Sequence, residues 1–200
     1  VTYWQNNSWI KYGEWLAAPR DPTIFQAPEK LFVRQTGDSI IATHGEENVV
    51  ARNNLHIILP KDSLNLSFLL GVLNSRCIDF LYAFINPEKG EVLAEVKKNH
   101  VETLPIPNAT NMQQKPIVEI VDSILALKKS DPNADTSALE SEIDELVYDL
   151  YGLTEEEKAI VRASGTQGTV KNEKMSEDRD VGETAVAGPK VTAPKKRGRK

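Results

Sequence analysis

Apolar and polar positions change rhythm along this chain, and each rhythm predicts a different kind of element. Residues 30–35 alternate, with Leu31, Val33 and Gln35 on one face and Phe32 and Arg34 on the other. That period of two is the signature of a strand, and Thr36-Gly37-Asp38 ends it with turn chemistry. Residues 39–43 form a short β-branched run that reads as its hairpin partner. Asn53-Asn54 then introduces a further strand over 55–59, stopped by Pro60. From Leu64 the period lengthens. Leu66, Leu69, Leu70, Leu73, Cys77, Phe80, Leu81 and Phe84 lie at helical spacing and make a wide apolar stripe. Asn86-Pro87 closes that helix, because proline pushes the preceding residue out of helical geometry.

Leu104-Pro105-Ile106-Pro107 is a rigid extended strip and reads as a boundary. Two more helices follow. Residues 112–129 gather Ile117, Val118, Ile120, Val121, Ile124, Leu125 and Leu127 on an apolar face. Residues 136–151 place Leu139, Ile143, Leu146, Val147 and Leu150 on another. Asp131-Pro132-Asn133 is the turn between them, Gly152 suits the C-cap, and Thr154 to Glu157 is a capping box opening a short last helix. Beyond Ser164 the periodicity is lost, and the tail is expected to be disordered. The predicted class is α+β: a small mixed sheet with a long apolar helix, then an antiparallel helical hairpin and a disordered tail. The expected division is 1–110, 111–163 and 164–200.

Composition adds limits. Of 200 residues, 40% are hydrophobic and 26% charged, enough apolar content for a core. No apolar run reaches the roughly 18–20 residues that span a bilayer, and the best stretch is broken by Asn74, Ser75, Arg76 and Asp79. No membrane partner and no signal peptide are therefore expected. A single cysteine, Cys77, excludes an internal disulfide framework and fits the cytoplasm. The chain starts at Val1, and the Trp4, Trp9 and Trp15 segment reads like the middle of a domain, so a fragment with further chain upstream is expected. Those tryptophans read as packing anchors rather than base-stacking platforms.

The net charge of −5 is unevenly spread. Residues 1–110 hold 10 basic and 12 acidic side chains, 111–163 hold 5 and 12, and 164–200 hold 9 and 5. Acid is thus concentrated in the hairpin, and the first segment can still present a basic face.

Several strings then occur in order: Tyr12-Gly13-Glu14-Trp15-Leu16, Pro19-Arg20, Lys30 through Asp38, Asn54-Leu55-His56, and Leu70-Gly71-Val72-Leu73-Asn74-Ser75. Asn86-Pro87-Glu88, Val96-Lys97-Lys98, Leu104 through Pro107 and Tyr148 through Thr154 follow. Together this set resembles the TaqI-like C-terminal specificity domain of adenine-specific DNA methyltransferases and type IIG restriction-modification enzymes. The resemblance implies double-stranded DNA as a partner, and a methyltransferase domain in the same polypeptide or as a separate subunit. That domain would use S-adenosylmethionine, with Mg²⁺ if cleavage accompanies methylation. The family's catalytic Asn/Asp-Pro-Pro-Tyr motif and its Gly-rich cofactor motif are not in this sequence, where the only Asn-Pro continues with Glu88. No catalytic residue and no cofactor are therefore assigned to this chain, which alone is expected not to methylate.

Base reading needs forked donors or amides, Arg for guanine and Asn or Gln for adenine. Arg34 and Gln35 at a strand end, and Arg52 and Asn53 before the next strand, are the candidates. The alternative for each is a solvated strand edge or a turn cap. Lys97, Lys98 and His100 are candidate phosphate contacts, or else a solvated helix face. Arg197-Gly198-Arg199 resembles the core of an AT-hook, although Lys200 stands where a proline is usual. A plain basic tail is the alternative.

Two rival functions have their own signals. The acidic hairpin could dock a protein without any DNA contact. Asp79, Glu95 and Lys97 have the composition of a Mg²⁺-dependent nuclease core, but Asp79 falls inside the apolar helix. His44, His56, His100 and Cys77 lack zinc-ligand spacing, so no metal site is assigned.

Overall fold

The computed structural model describes residues 20–47, 49–61 and 64–164. The Trp4, Trp9 and Trp15 segment and the tail with Arg197 and Arg199 lie outside the described residues. Helix α1 (Pro22–Gln26) comes first. It was not foreseen from periodicity, yet its start is written locally. Asp21 accepts a hydrogen bond from Thr23 N at 2.9 Å, and Pro22 occupies the first helical position.

Strands β1 (Lys30–Arg34), β2 (Ala42–Gly45) and β3 (Leu55–Ile58) form one antiparallel sheet in the order β2-β1-β3. Leu31 pairs with His44 and Ile58, and Phe32 with Thr43 and Ile57. The central strand is buried on both faces. Leu31 and Val33 enter the main core, while Phe32 joins Phe25 and Ala51 in a second small cluster. Lys30 is fully buried, because its ammonium donates to Phe25 O and Ala27 O, both at 2.9 Å, at the end of α1. β2 starts later than the run at 39–43 suggests. Ile40 is buried in the main core, so the approach to the strand is itself a packed segment.

The apolar stretch after β3 is helical, but in two pieces: α2 (Leu66–Leu73) and α3 (Arg76–Ile85), bent by 64°. Ser75 causes the break locally, since its hydroxyl caps α3 by accepting from Ile78 N. Asn74, capping α2, turns its amide to β2, accepting from Ala42 N at 2.9 Å and donating to Ala42 O at 3.1 Å. Polar residues that look like interruptions in one helix therefore end one helix, start another and clamp a sheet edge. Among the described residues no single helix is long and apolar enough to cross a membrane, and the bent pair is largely buried within the fold.

Short α4 (Lys98–Glu102) leads to α5 (Asn111–Ser130) and α6 (Ser137–Tyr151), followed by a last helix α7 over 155–164. α5 opens with a reciprocal capping box between Thr110 and Gln113. α6 ends at Gly152 in the left-handed region, φ 68°. Thr154 and Glu157 cap α7 in the way the sequence suggests. The hairpin and the sheet share one hydrophobic core, in which Ile117, Val121, Ile143, Val147 and Tyr148 meet α2 and α3. Asp144 ties α6 to α3, accepting from Arg76 N at 2.8 Å and pairing with its Nε at 3.1 Å. Burial raises the Asp144 carboxyl above its ordinary range.

Candidate nucleic-acid interface

Three chain segments converge at the end of β1, and the candidate residues sit where they meet. Antiparallel pairing sets Arg34 opposite Leu55, and Gln35 N donates to Asn54 O at 3.0 Å. A turn closed by Leu55 N to Arg52 O, 3.2 Å, holds Arg52 and Asn53 directly beside that pair. The third segment is 94–97. Val96 N donates to Gln35 O at 2.6 Å, Gly37 N to Ala94 O at 2.8 Å, and Thr36 bridges Glu95. His56, whose ring Nε2 lies 2.7 Å from Val96 O, fastens β3 to the same segment. A carbonyl can only accept, so that nitrogen carries the proton.

Arg34, Arg52 and Asn53 are exposed and Gln35 is half-buried. The Arg34 side chain makes no hydrogen bond or ion pair among the described residues; its guanidinium lies over Gly37, whose φ is +127°. A side chain at 37 would collide with it, since an added Cβ would stand 2.5 Å from Nη2. Glycine there both permits the backbone turn and leaves room for the arginine. The result is two forked cations and two amides on one rim, the donor types that read base edges.

The remaining candidates are placed differently. Lys97 Nζ lies 2.5 Å from Glu88 Oε1, and this contact holds the Glu88 carboxyl below the usual carboxylate range and Lys97 above the usual lysine range. Glu88 also accepts from Glu95 N at 2.9 Å. Its charge is spent inside the junction, and so is that of Lys97. Lys98 makes only an exposed pair with Glu102, 3.3 Å apart, of the kind worth little and readily exchanged. His100 is half-buried beside Tyr82, with Nδ1 enclosed and without a hydrogen-bond partner among the described residues.

Sequence reasoning missed Glu88, Asp38 and Asn74 as organisers, although all three stand in the quoted strings. Asp38 accepts from Gly90 N at 3.1 Å, so the 86–96 loop is anchored to the 34–38 segment at its middle as well as at 94–96. Asn86 is buried with its Oδ1 turned to Glu88 N at 3.1 Å, a structural use of Asn-Pro. Asp79 pairs with Lys89 at 3.4 Å, and among the described residues no group of three or more His, Cys, Asp or Glu is placed to hold a metal. Cys77 is buried, which pushes its thiol up to about 11. Part of the hairpin's acidity is also compensated: Glu145 takes a forked bond from Arg162, and Asp149 and Glu155 share Lys158.

The model of the TaqI-like C-terminal specificity domain family matches residues 2–106. The chain is also similar to a Methanocaldococcus jannaschii protein provisionally named a type II restriction enzyme and methyltransferase. Identity is 28% over 145 residues, covering 64% of this chain and 11% of that protein. The chain therefore corresponds to about a ninth of the length of the curated relative it matches.

Proposed function

This chain belongs to the TaqI-like C-terminal specificity domain family, and from that premise we propose that it is the DNA-reading module of an adenine-specific restriction-modification enzyme. The observation that carries the reading is the Arg34, Gln35, Arg52 and Asn53 rim, built where three segments lock together by backbone hydrogen bonds. A base-reading group must be held in place before the DNA arrives. These side chains spring from paired strand ends and a closed turn, which hold their backbone. Lys98 supplies phosphate attraction beside them.

The methyl donor S-adenosylmethionine, and Mg²⁺ if cleavage occurs, would belong to a catalytic domain on the same polypeptide or a separate subunit. Among the described residues Asn86-Pro87-Glu88 does not fit an adenine pocket, because Asn86 is turned inward and Glu88 is engaged with Lys97 and Glu95 N. The contribution proposed here is to bind and to orient. A gel shift with the full-length polypeptide on a duplex selected from a random-sequence pool tests it, repeated at several salt concentrations. Salt-sensitive binding that Arg34→Ala with Arg52→Ala weakens about ten-fold or more supports the reading, from roughly 1–3 kcal/mol per base contact. Binding that is absent, or indifferent to both changes, refutes it in favour of a protein-docking role.

A further inference from the structure

The loop that completes the junction ends in two bare aliphatic side chains. Val92 is 98% and Leu93 88% exposed, although Ala94 and Val96 just after them are buried. The loop is not loose. Lys89 N donates to Asn86 O at 3.2 Å, Glu91 N to Glu88 O at 3.0 Å, and Gly90 N to Asp38 Oδ2 at 3.1 Å. Glu95 N and Gly37 N close its far side on Glu88 and Ala94. Val92 and Leu93 contribute nothing to the core, yet their backbone is ordered in advance, which lowers the entropy cost of an encounter. Exposed Glu91 and Glu95 flank them, and Lys89 is paired with Asp79.

We infer that the 90–94 loop enters the DNA major groove beside the Arg34–Arg52 rim, where Val92 and Leu93 recognise thymine by packing on its C5 methyl group. The inference rests on the DNA-reading function proposed above and adds a base to it. The major groove is the one that displays this methyl, and it also displays the amine donors of cytosine and adenine. Glu91 and Glu95 suit those donors. Carboxylates are poorly matched to the minor groove, whose negative potential attracts arginine and lysine. The loop shares its anchoring bonds with Gln35 and Gly37, so an approach that seats the rim also brings the loop to the groove.

The test uses the full-length polypeptide. A binding site is first selected from random duplexes, and each thymine is then replaced by uracil, which lacks only the methyl. For the wild type, one or two replacements should weaken binding about four-fold each, the value of a buried methyl group. In Val92→Ser with Leu93→Ser the same replacements should have no effect. Both positions are exposed, so a thermal melt should match the wild type. Uracil effects equal in both proteins, or a selected site without thymine, overturn the inference while leaving DNA reading intact. Unchanged DNA binding in Val92→Ser with Leu93→Ser, with uracil effects kept, also overturns it, and assigns the tip to a protein contact. Failure to select any site removes the proposed function itself.

Discussion

Arg34 and Lys97 carry the same formal charge a few residues of structure apart, yet the fold treats them differently. Arg34 lies over Gly37 with no acidic partner among the described residues, whereas Lys97 is bound to Glu88 at 2.5 Å. A free cation that neutralises a phosphate steepens the salt dependence of DNA binding by about one unit. Lys98→Ala, which removes a cation held only by an exposed pair, is therefore expected to reduce the slope of log K against log salt by about one, and Lys97→Ala to change it much less, whereas Arg34→Ala should relax base discrimination. Titration of binding over a four-fold salt range reads both. Glu88 adds a pH dependence. Its hydrogen bond from Lys97 holds its folded-state value below the ordinary 4.5, so its stabilising effect is full above that pH. It is lost as pH falls through the folded value. Acid melts should show wild-type stability dropping more steeply below pH 4.5 than that of Glu88→Gln. Equal acid limbs would show that Glu88 does not brace the junction. Side chains such as Arg34 and Arg52 were legible in the sequence because strand ends and turns are local. The pairing of Lys97 with Glu88 was not, because it joins loop positions whose fold depends on Asp38, Gln35 and Gly37 far upstream.

Elements were legible where their signals were periodic and short-range. β1, β3, α5, α6 and the Thr154 to Glu157 capping box follow from alternation, helical spacing and cap residues. The long helix was divided because Asn74 and Ser75 have partners that periodicity does not reveal: Ala42 across the sheet edge and the first turn of α3. Asn74→Ala should cost about 1–2 kcal/mol in urea unfolding, two hydrogen bonds' worth. It should also free part of the β2 edge for pairing with another chain, read as increased light scattering. Gly71 marks a second long-range dependence. An added Cβ would stand 2.7 Å from Ile117 Cγ2 and 3.0 Å from Val121 Cγ2, both on stiff β-branched side chains of α5. Gly71→Ala should thus separate α2 from α5 at a cost of about 1–3 kcal/mol, despite alanine's better helix propensity. Unfolding at an unchanged urea midpoint would refute this packing account.

At the scale of the whole molecule, charge is a poor guide and placement a good one. The chain is net negative, but much of the acid in 140–155 is paired with Arg76, Lys158 and Arg162, and the forked donors gather at the far end of β1. The sheet, the bent α2–α3 pair and the hairpin share a core whose buried Leu31, Val33, Tyr82, Val96 and Val147 leave Arg34, the 52–54 turn, Glu95 and Lys97 at the surface. That arrangement suits the proposed DNA-reading role, which needs a small edge held steady. The ordered strings made the family legible in the sequence, and the rim was visible as separate pairs of residues. That these pairs form one edge depends on register and loop closure, which no local pattern states.

The most direct test of the reading role is the site preference of the full-length enzyme. DNA methylated by the wild type and by Arg34→Ala with Arg52→Ala would be sequenced for modified positions, at enzyme levels giving equal total methylation. The variant is expected to modify a relaxed set of sites, losing discrimination at one or more positions of the wild-type sequence. An unchanged set, modified with the same relative preference, would contradict it.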